Sequence, residues 1–240
     1  MEDAAPGGLF ALAPEPEPAP GHLGHRERLR ARFLAGGAEA VADYELLELL
    51  LFAIPRLDTK PLAKALIARF GSFAGVLAAP KEELAGVPGV GEAVIATLKV
   101  AHAAALKLAA AEVADRPLLN AWDKLMAYLH AALAREPVEH FRVLYLDNKN
   151  RLKADETQAR GTVNHAPVYP REVVKRALDL QASAVILVHN HPSGDPSPSR
   201  ADIDMTREVQ KAAAALGIAL HDHVIVGNGR WLSFRQQGLL

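Results

Sequence analysis

The sequence contains no cysteine, which excludes disulfide frameworks, thiolate zinc sites and cysteine nucleophiles together. Aromatic residues make up only 5% of the chain, so base-stacking platforms for single-stranded nucleic acid are not expected. No uncharged apolar run reaches the roughly 18 residues that a membrane span needs. The N-terminus is acidic and proline-rich, where a signal peptide would be basic and then apolar. We therefore expect a soluble, cytoplasmic protein with no membrane partner.

Apolar side chains are abundant: they form half of the 240 residues, enough to bury a core. This length suits one large domain or two small ones. Residues 1–24 hold five prolines, four glycines and four acids, a composition that predicts a disordered tail. Helical periodicity then dominates residues 25–115, and the stretch Asp115-Arg116-Pro117 indicates a domain boundary. Residues 118–240 alternate helical and strand patterns, so the fold class is a helical domain followed by a mixed α/β domain.

Capping residues locate the helices. Asp43 is expected to cap a helix over residues 44–53, Asp58 or Thr59 to open one that ends at residue 70, and Ser72 to cap a short third helix. An alanine-rich helix should follow to about residue 114. Asn120 is expected to cap a helix to about residue 134, with Asp123 completing a capping box.

The second domain should contain five strands. They are expected over residues 139–147, 151–158, 184–188, 221–226 and 230–234, with helices over residues 170–180 and 200–216 between them. The continuous apolar run at residues 184–188 is typical of a strand buried on both faces.

A glycine-rich turn lies at residues 87–93, and its surroundings, residues 84–99, resemble the helix-hairpin-helix family. Glycine-rich turns at helix N-termini offer N–H donors to a phosphate, so Gly89, Gly91 and Lys99 are candidate DNA contacts. The alternative is a tight turn between two packed helices. Residues 25–115 carry 11 basic and 11 acidic side chains, and this balance predicts weak DNA binding or none.

A run of arginines comes directly after the tail, at Arg26, Arg28, Arg30 and Arg32. It is read either as the solvated face of a short helix or as a stripe that contacts phosphates.

The most informative motif is a histidine pair followed by an aspartate. His189 and His191 flank one residue at the end of a strand, so their side chains point to the same face and can reach one metal ion. Asp202 falls in the first turn of the next helix. Two histidines and one carboxylate leave a fourth tetrahedral position open, as in catalytic zinc sites. Ser199 and Asp202 also fit a helix N-cap, an interpretation compatible with metal binding because the cap would aim the aspartate.

The spacing His189-x-His191, seven residues, Ser199, two residues, Asp202 resembles the metal motif of the JAB/MPN metallopeptidases. From about residue 25 the chain is similar to the RadC family, in which a helical domain with a helix-hairpin-helix precedes an MPN domain. The segments that fit are residues 141–147, 161–163, 169–174 and 222–227, together with the motif itself.

This resemblance implies one Zn²⁺ per chain, held by His189, His191 and Asp202, with water as the fourth ligand. It also implies an upstream glutamate as general base. Glu139 stands where that glutamate is expected, and Glu172, at a helix N-terminus, is its rival. Ser199 would donate a hydrogen bond to the oxyanion.

Two further histidines, His221 and His223, repeat the His-x-His spacing. We expect Asp222 or His223 to orient a ligand or substrate rather than to form a second metal site.

The expected function is zinc-dependent hydrolysis of an amide or isopeptide bond in a polypeptide. One alternative is a DNA-associated repair or recombination factor that acts through its helical domain. Another is an MPN domain that binds metal but serves as a weakly catalytic scaffold.

Overall fold

The computed structural model describes residues 24–55, 57–114, 117–161 and 168–240. The expected tail, residues 1–23, lies outside the described residues. So do Asp115 and Arg116 of the expected domain boundary, and residues 162–163 of one segment that resembles the RadC family.

Helices form the first part of the described chain. They are α1 (His25–Gly36), α2 (Asp43–Leu51), α3 (Thr59–Phe70), α4 (Phe73–Ala78), α5 (Lys81–Ala85) and α6 (Glu92–Ala114). Their apolar faces meet in one core, which includes Leu47, Leu51, Leu66, Val76, Leu84 and Leu98. The first part of the chain therefore has a hydrophobic core of its own.

Two of the expected caps in this part can be checked directly. Ser72 caps α4, because its hydroxyl accepts a hydrogen bond from the Gly75 amide at 3.0 Å. Asp43 does not cap α2: it is the first helical residue, and its carboxylate accepts a hydrogen bond from the Phe73 amide at 2.7 Å. The prediction for Asp43 was wrong because the side chain joins α2 to the start of α4 instead.

The second part of the chain places helices around one sheet. Its elements are α7 (Trp122–Leu133), β1 (His140–Leu146), β2 (Leu152–Arg160), α8 (Pro170–Asp179), β3 (Ala184–Asn190), α9 (Arg200–Ala214), β4 (Ala219–Val226) and β5 (Trp231–Ser233). The strand order is β2-β1-β3-β4-β5. Strands β3 and β4 are parallel and connected through α9, whereas the other neighbours are antiparallel. The mixed α/β architecture is as expected.

Each face of the sheet has its own apolar layer. On one face, Leu144, Ile186, Val188 and Val224 pack with Leu125 and Leu129 of α7. On the other face, Phe141, Val143, Val185 and Leu187 pack with Val173 of α8 and Val209 of α9. All seven residues of β3 are buried, in agreement with the continuous apolar run. The end of β3 is therefore buried between the two layers, and this burial restricts the position of the residues that follow it.

Helix α7 begins later than expected. Residues 118–120 form a 3₁₀ turn, and α7 starts at Trp122 without a side-chain cap from Asn120. The cause is the pairing of Pro117 with Arg151, together with the hydrogen bond from the Leu118 amide to the Asn150 carbonyl at 2.8 Å. This pairing holds the chain against the β1–β2 turn, so the predicted capping box does not form.

One helix among the described residues, α6, is long and apolar enough by length and composition to cross a membrane. Only 11% of its most apolar window is buried. A single helix of this kind is weak evidence, since core helices of soluble proteins meet the same criteria.

Candidate metal centre

Three side chains converge where β3 ends and α9 begins. Nε2 of His189 lies 3.0 Å from Nε2 of His191 and 3.4 Å from Oδ1 of Asp202. Nε2 of His191 lies 3.6 Å from Oδ2 of Asp202. Zinc bonds of about 2.0–2.1 Å in a tetrahedral arrangement separate neighbouring ligand atoms by about 3.3 Å. The three donors are therefore spaced as the ligands of one small metal ion would be.

Burial is graded across this group. The His189 side chain is fully buried, while those of His191 and Asp202 are 19% and 14% exposed. The cluster is therefore closed on the side of the sheet and reachable from the side of His191. This matches a site that keeps one position for an exchangeable ligand.

The tautomer of His191 follows from its second nitrogen. Nδ1 lies 2.7 Å from the backbone carbonyl oxygen of Asp195. A carbonyl can only accept a hydrogen bond, so Nδ1 carries the proton. In the neutral ring Nε2 then presents a lone pair to the cluster, as a metal ligand must.

The tautomer of His189 is fixed through a longer chain of hydrogen bonds. The hydroxyl of Thr206 donates its proton to the Asp202 carbonyl at 2.5 Å, so it accepts from Nδ1 of His223 at 2.6 Å. Nε2 of neutral His223 therefore accepts from Nδ1 of His189 at 2.8 Å. Nε2 of His189 is left as a lone pair that faces His191 and Asp202.

Ser199 holds the third donor in place. Its hydroxyl accepts from the Asp202 amide at 3.2 Å and donates to Oδ2 of Asp202 at 2.7 Å. The Ser199 amide donates to the same carboxylate oxygen at 2.7 Å, which completes a capping box. Ser199 is therefore both the N-cap of α9 and a support for the candidate ligand. Both bonds direct its hydroxyl to Asp202, and the oxyanion role that the resemblance implies stays a prediction.

The electrostatics of the cluster favour an ionised carboxylate at Asp202 and neutral rings at His189 and His223, whereas His191 takes up a proton more readily. Burial lowers the pKa of His189 to about 4, and it lowers the pKa of His223 well below its ordinary value. The neighbouring carboxylate of Asp202 raises the pKa of His191 against the opposing effect of burial. Burial opposes ionisation of Asp202, but the neighbouring imidazoles of His191 and His189 and the hydrogen bonds from Ser199 hold its pKa below the usual range.

This donor set fits a bound cation. Two imidazole lone pairs and one carboxylate face one another at 3.0–3.6 Å, and hydrogen bonds outside the cluster fix the protons of both rings. Their mutual repulsion is relieved only by a proton or a cation between them. Nitrogen and oxygen ligands in this number suit zinc.

Glu139 lies next to the cluster. In the antiparallel pairing of β1 with β3, Phe141 is opposite His189. Two residues further out, the same register brings Glu139 beside His191. The field of Glu139 contributes to the raised pKa of His191, after the larger effect of Asp202.

Glu172 is placed differently from Glu139. It lies in the first turn of α8 with 53% of its side chain exposed, and it pairs with Arg171 at 3.2 Å. Of the two glutamates, Glu139 is the one whose charge acts on His191.

The three remaining candidate residues of the second domain, His221, Asp222 and His223, have different partners. His223 contacts the ligand His189. The carboxylate of Asp222 accepts from the amides of His223 and Arg235 at 2.7 and 3.0 Å and from the Ser233 hydroxyl, so it secures the C-terminal turn. His221 bonds the Asn150 side chain at 2.7 Å.

The glycine-rich turn connects α5 to α6. Gly89 has a φ of 85°, a left-handed conformation that favours glycine, and the Gly91 carbonyl accepts from the Ile95 amide at 3.1 Å. The ammonium of Lys99 donates to the carbonyls of Leu77 at 3.3 Å and of Ala79. Lys99 is therefore held at the C-terminal end of α4, away from the turn.

Two residues of the site were not singled out from the sequence. Thr206 has a local signal, because it lies one helical turn after Asp202 on the same face of α9. Asn190 has none, because its partners are backbone atoms some fifty residues earlier.

Comparison with known proteins agrees with this geometry. The family model described as RadC-like JAB domain matches residues 119–239. A UPF0758 protein of Rhodobacter capsulatus is 64% identical over 213 residues, covering 88% of this chain and 100% of the relative. A UPF0758 protein of Ruegeria pomeroyi is 60% identical over 217 residues, covering 90% of this chain and 97% of the relative. Neither name states an activity.

Proposed function

Because this chain belongs to the RadC-like JAB family, we propose that it is a zinc-dependent hydrolase that cleaves amide or isopeptide bonds in polypeptides. The observation that carries the proposal is the convergence of His189, His191 and Asp202 at 3.0–3.6 Å, with one side of the cluster accessible. A purely structural histidine cluster would not need both Nε2 lone pairs to face a carboxylate.

In this proposal His189, His191 and Asp202 hold the zinc ion. Bound zinc would supply a Lewis acid that polarises a carbonyl and lowers the pKa of water towards 7. The chain itself fixes the tautomer of both imidazoles through the carbonyl of Asp195 and the ring of His223. It also keeps Asp202 ionised through Ser199, so this carboxylate does not have to lose a proton when zinc binds.

Glu139 acts as the general base. Its carboxylate, beside His191, takes a proton from the attacking water and passes it to the leaving amine. Glu139 is half-buried at the edge of the cluster, so its carboxylate remains reachable from solvent. This role distinguishes an enzyme from a scaffold that only binds metal.

The test combines metal analysis with a hydrolysis screen. Purified wild-type protein is expected to carry close to one zinc per chain, and His191→Ala or Asp202→Ala should lose it without loss of helical signal. His221→Ala is the matched control, since His221 belongs to the second His-x-His pair but bonds Asn150. Isopeptide-linked and linear peptide substrates are then screened with wild type and Glu139→Gln. Full zinc content in both ligand variants would refute the metal site.

The DNA-associated alternative gains no support from the arginine run. Arg26 donates to the Leu57 carbonyl at 3.2 Å, Arg32 pairs with Glu45, and Arg30 lies 5.8 Å from the centre of the Phe52 ring. These arginines make contacts within the helical part. We therefore keep the hydrolase as the proposal, with a polypeptide as its substrate.

A further inference from the structure

Asn190 lies between the two histidine ligands and is itself 1% exposed. Its carboxamide makes three hydrogen bonds, all to backbone atoms of one segment. Oδ1 accepts from the His140 amide at 2.8 Å, and Nδ2 donates to the carbonyls of Val138 at 3.1 Å and Glu136 at 3.4 Å. Every polar atom of the carboxamide is therefore used on residues 136–140.

This segment is the one that carries Glu139. Residues 136–139 lie between the end of α7 and the start of β1, so they belong to neither element. The Glu139 carbonyl accepts from the Gly161 amide at 2.9 Å on the side facing β2. Asn190 supplies the corresponding contacts on the side facing β3. Buried backbone groups need such partners, and here one side chain provides three.

The arrangement couples the metal ligands to the base. His189 and Asn190 are the last two residues of β3 and His191 follows directly, so one rigid strand end places both ligands and the carboxamide. A carboxylate on an irregular segment would otherwise sample several positions, and catalytic geometry tolerates only about 0.5 Å of error.

We propose that Asn190 is a positioning residue: its carboxamide clamps the backbone at residues 136–140 so that the Glu139 carboxylate faces the metal site. This inference rests on the proposed function for the role of Glu139. The clamp itself is a property of the chain and is tested separately.

The first experiment measures the clamp without substrate or metal. Asn190→Ala is expected to speed amide hydrogen exchange in peptides spanning residues 134–142, because the His140 amide loses its acceptor. Asn190→Asp, which keeps the acceptor but lacks the two donors, should show a smaller increase. Asn148→Ala, in the exposed turn after β1, is the matched control. Unchanged exchange in both Asn190 variants would overturn the proposal.

The second experiment asks whether Asn190 acts through Glu139 or through the ligands. Zinc affinity, measured by competition with a chelator, should stay within about threefold of wild type in Asn190→Ala. Mutations of residues that orient catalytic groups typically cost 10–100-fold. We therefore expect kcat to fall about tenfold or more with KM nearly unchanged. The double variant Asn190→Ala/Glu139→Gln should be no slower than Glu139→Gln. Additive losses in kcat, or a loss of zinc affinity as large as that of His191→Ala, would overturn the role.

A third readout separates this proposal from the proposed function. With Co²⁺ bound in place of zinc, visible absorption follows the surroundings of the metal as pH is changed. Glu139→Gln should move the midpoint of that titration, Asn190→Ala should move it in the same direction, and the double variant should move it no further. A wild-type midpoint in Asn190→Ala beside a shifted one in Glu139→Gln would refute the positioning role. If no substrate is hydrolysed but these shifts appear, the hydrolase fails and the positioning role stands.

Discussion

Nδ1 of His189 donates a hydrogen bond to Nε2 of His223 at 2.8 Å, and this bond leaves Nε2 of His189 free to bind a cation. The direction of the bond is set by Thr206, whose single proton goes to the Asp202 carbonyl. Helix α9 therefore contributes one candidate ligand, Asp202, and controls the tautomer of another, His189, through Thr206. Strands β3 and β4 and helix α9 are therefore joined by hydrogen bonds that permit one arrangement of the protons.

His223→Ala is expected to weaken zinc binding about 10–100-fold, the usual cost of losing a residue that orients a metal ligand. The ring of His189 would lose its acceptor and could adopt the other tautomer. Thr206→Val should have the same effect to a smaller degree, because His223 would remain but lose its own orientation. Competition with a chelator measures both affinities, and His221→Ala serves as the control. Wild-type affinity in His223→Ala would show that the sheet alone orients His189.

Ser199→Ala should have two separable effects. Loss of the N-cap of α9 is expected to lower the free energy of unfolding by about 1 kcal/mol, measured by urea denaturation in the presence of a chelator. Loss of the hydroxyl donor to Asp202 should also weaken zinc binding. Ser72→Ala is a matched control, since Ser72 caps α4 in the same way but lies far from the metal site in the helical part. It should show a similar stability loss with unchanged zinc affinity.

The sequence was sufficient to predict the convergence of His189, His191 and Asp202, because it depends on local geometry. Alternation along a strand aligns His189 with His191, and a cap at Ser199 aims Asp202 within a single turn. Asn190 was not predictable in this way, because its role depends on the pairing of β3 with a segment some fifty residues earlier.

The start of α7 also depends on contacts that the local sequence does not reveal. Asn120 has the right residue type for a cap, and Asp123 has the right spacing for a capping box. The pairing of Pro117 with Arg151, which joins positions far apart in the sequence, nevertheless delays the helix. Tertiary contacts therefore overrode a sound local signal.

Zinc affinity should rise with pH and then level off. The pKa of His191 is raised above its ordinary 6.5, so below that pKa the metal-free site holds a proton that zinc must displace. Affinity should therefore fall by about tenfold per pH unit for each displaced proton below that point, and it should be flat above it. Asp202 stays ionised throughout, because its pKa lies below the usual range. A chelator titration from about pH 5.5 to 8 tests this, and constant affinity over that range would contradict it.

DNA binding by the full chain should be weak. Residues 25–115 carry 11 basic and 11 acidic side chains, and Lys99 is bonded to the end of α4. Non-specific duplex binding depends on an excess of cations that displace counterions, and this part of the chain has no such excess. Titration with a duplex at physiological salt should give no saturation at submicromolar protein. Submicromolar affinity with a steep dependence on salt would contradict this prediction and favour DNA binding through the helix-hairpin-helix candidate, with Gly89 and Gly91 as contacts.

The choice of general base is decided by a pair of matched substitutions, Glu139→Gln and Glu172→Gln. Both keep the size and hydrogen bonding of the side chain but remove its ability to take a proton. Glu139 lies beside His191, whereas Glu172 is 53% exposed and paired with Arg171. We therefore expect Glu139→Gln to lower kcat by about 100-fold or more, the usual scale for a general base, and Glu172→Gln to leave it nearly unchanged.

Zinc content distinguishes loss of the base from loss of the metal. Neither glutamate is among the three donors that converge, so both variants should keep full zinc. If Glu139→Gln stays active while Glu172→Gln does not, the base lies at the start of α8, and the assignment of the ligands is unaffected. If Glu139→Gln loses zinc as well as activity, Glu139 is a fourth ligand, and the site is closed rather than catalytic.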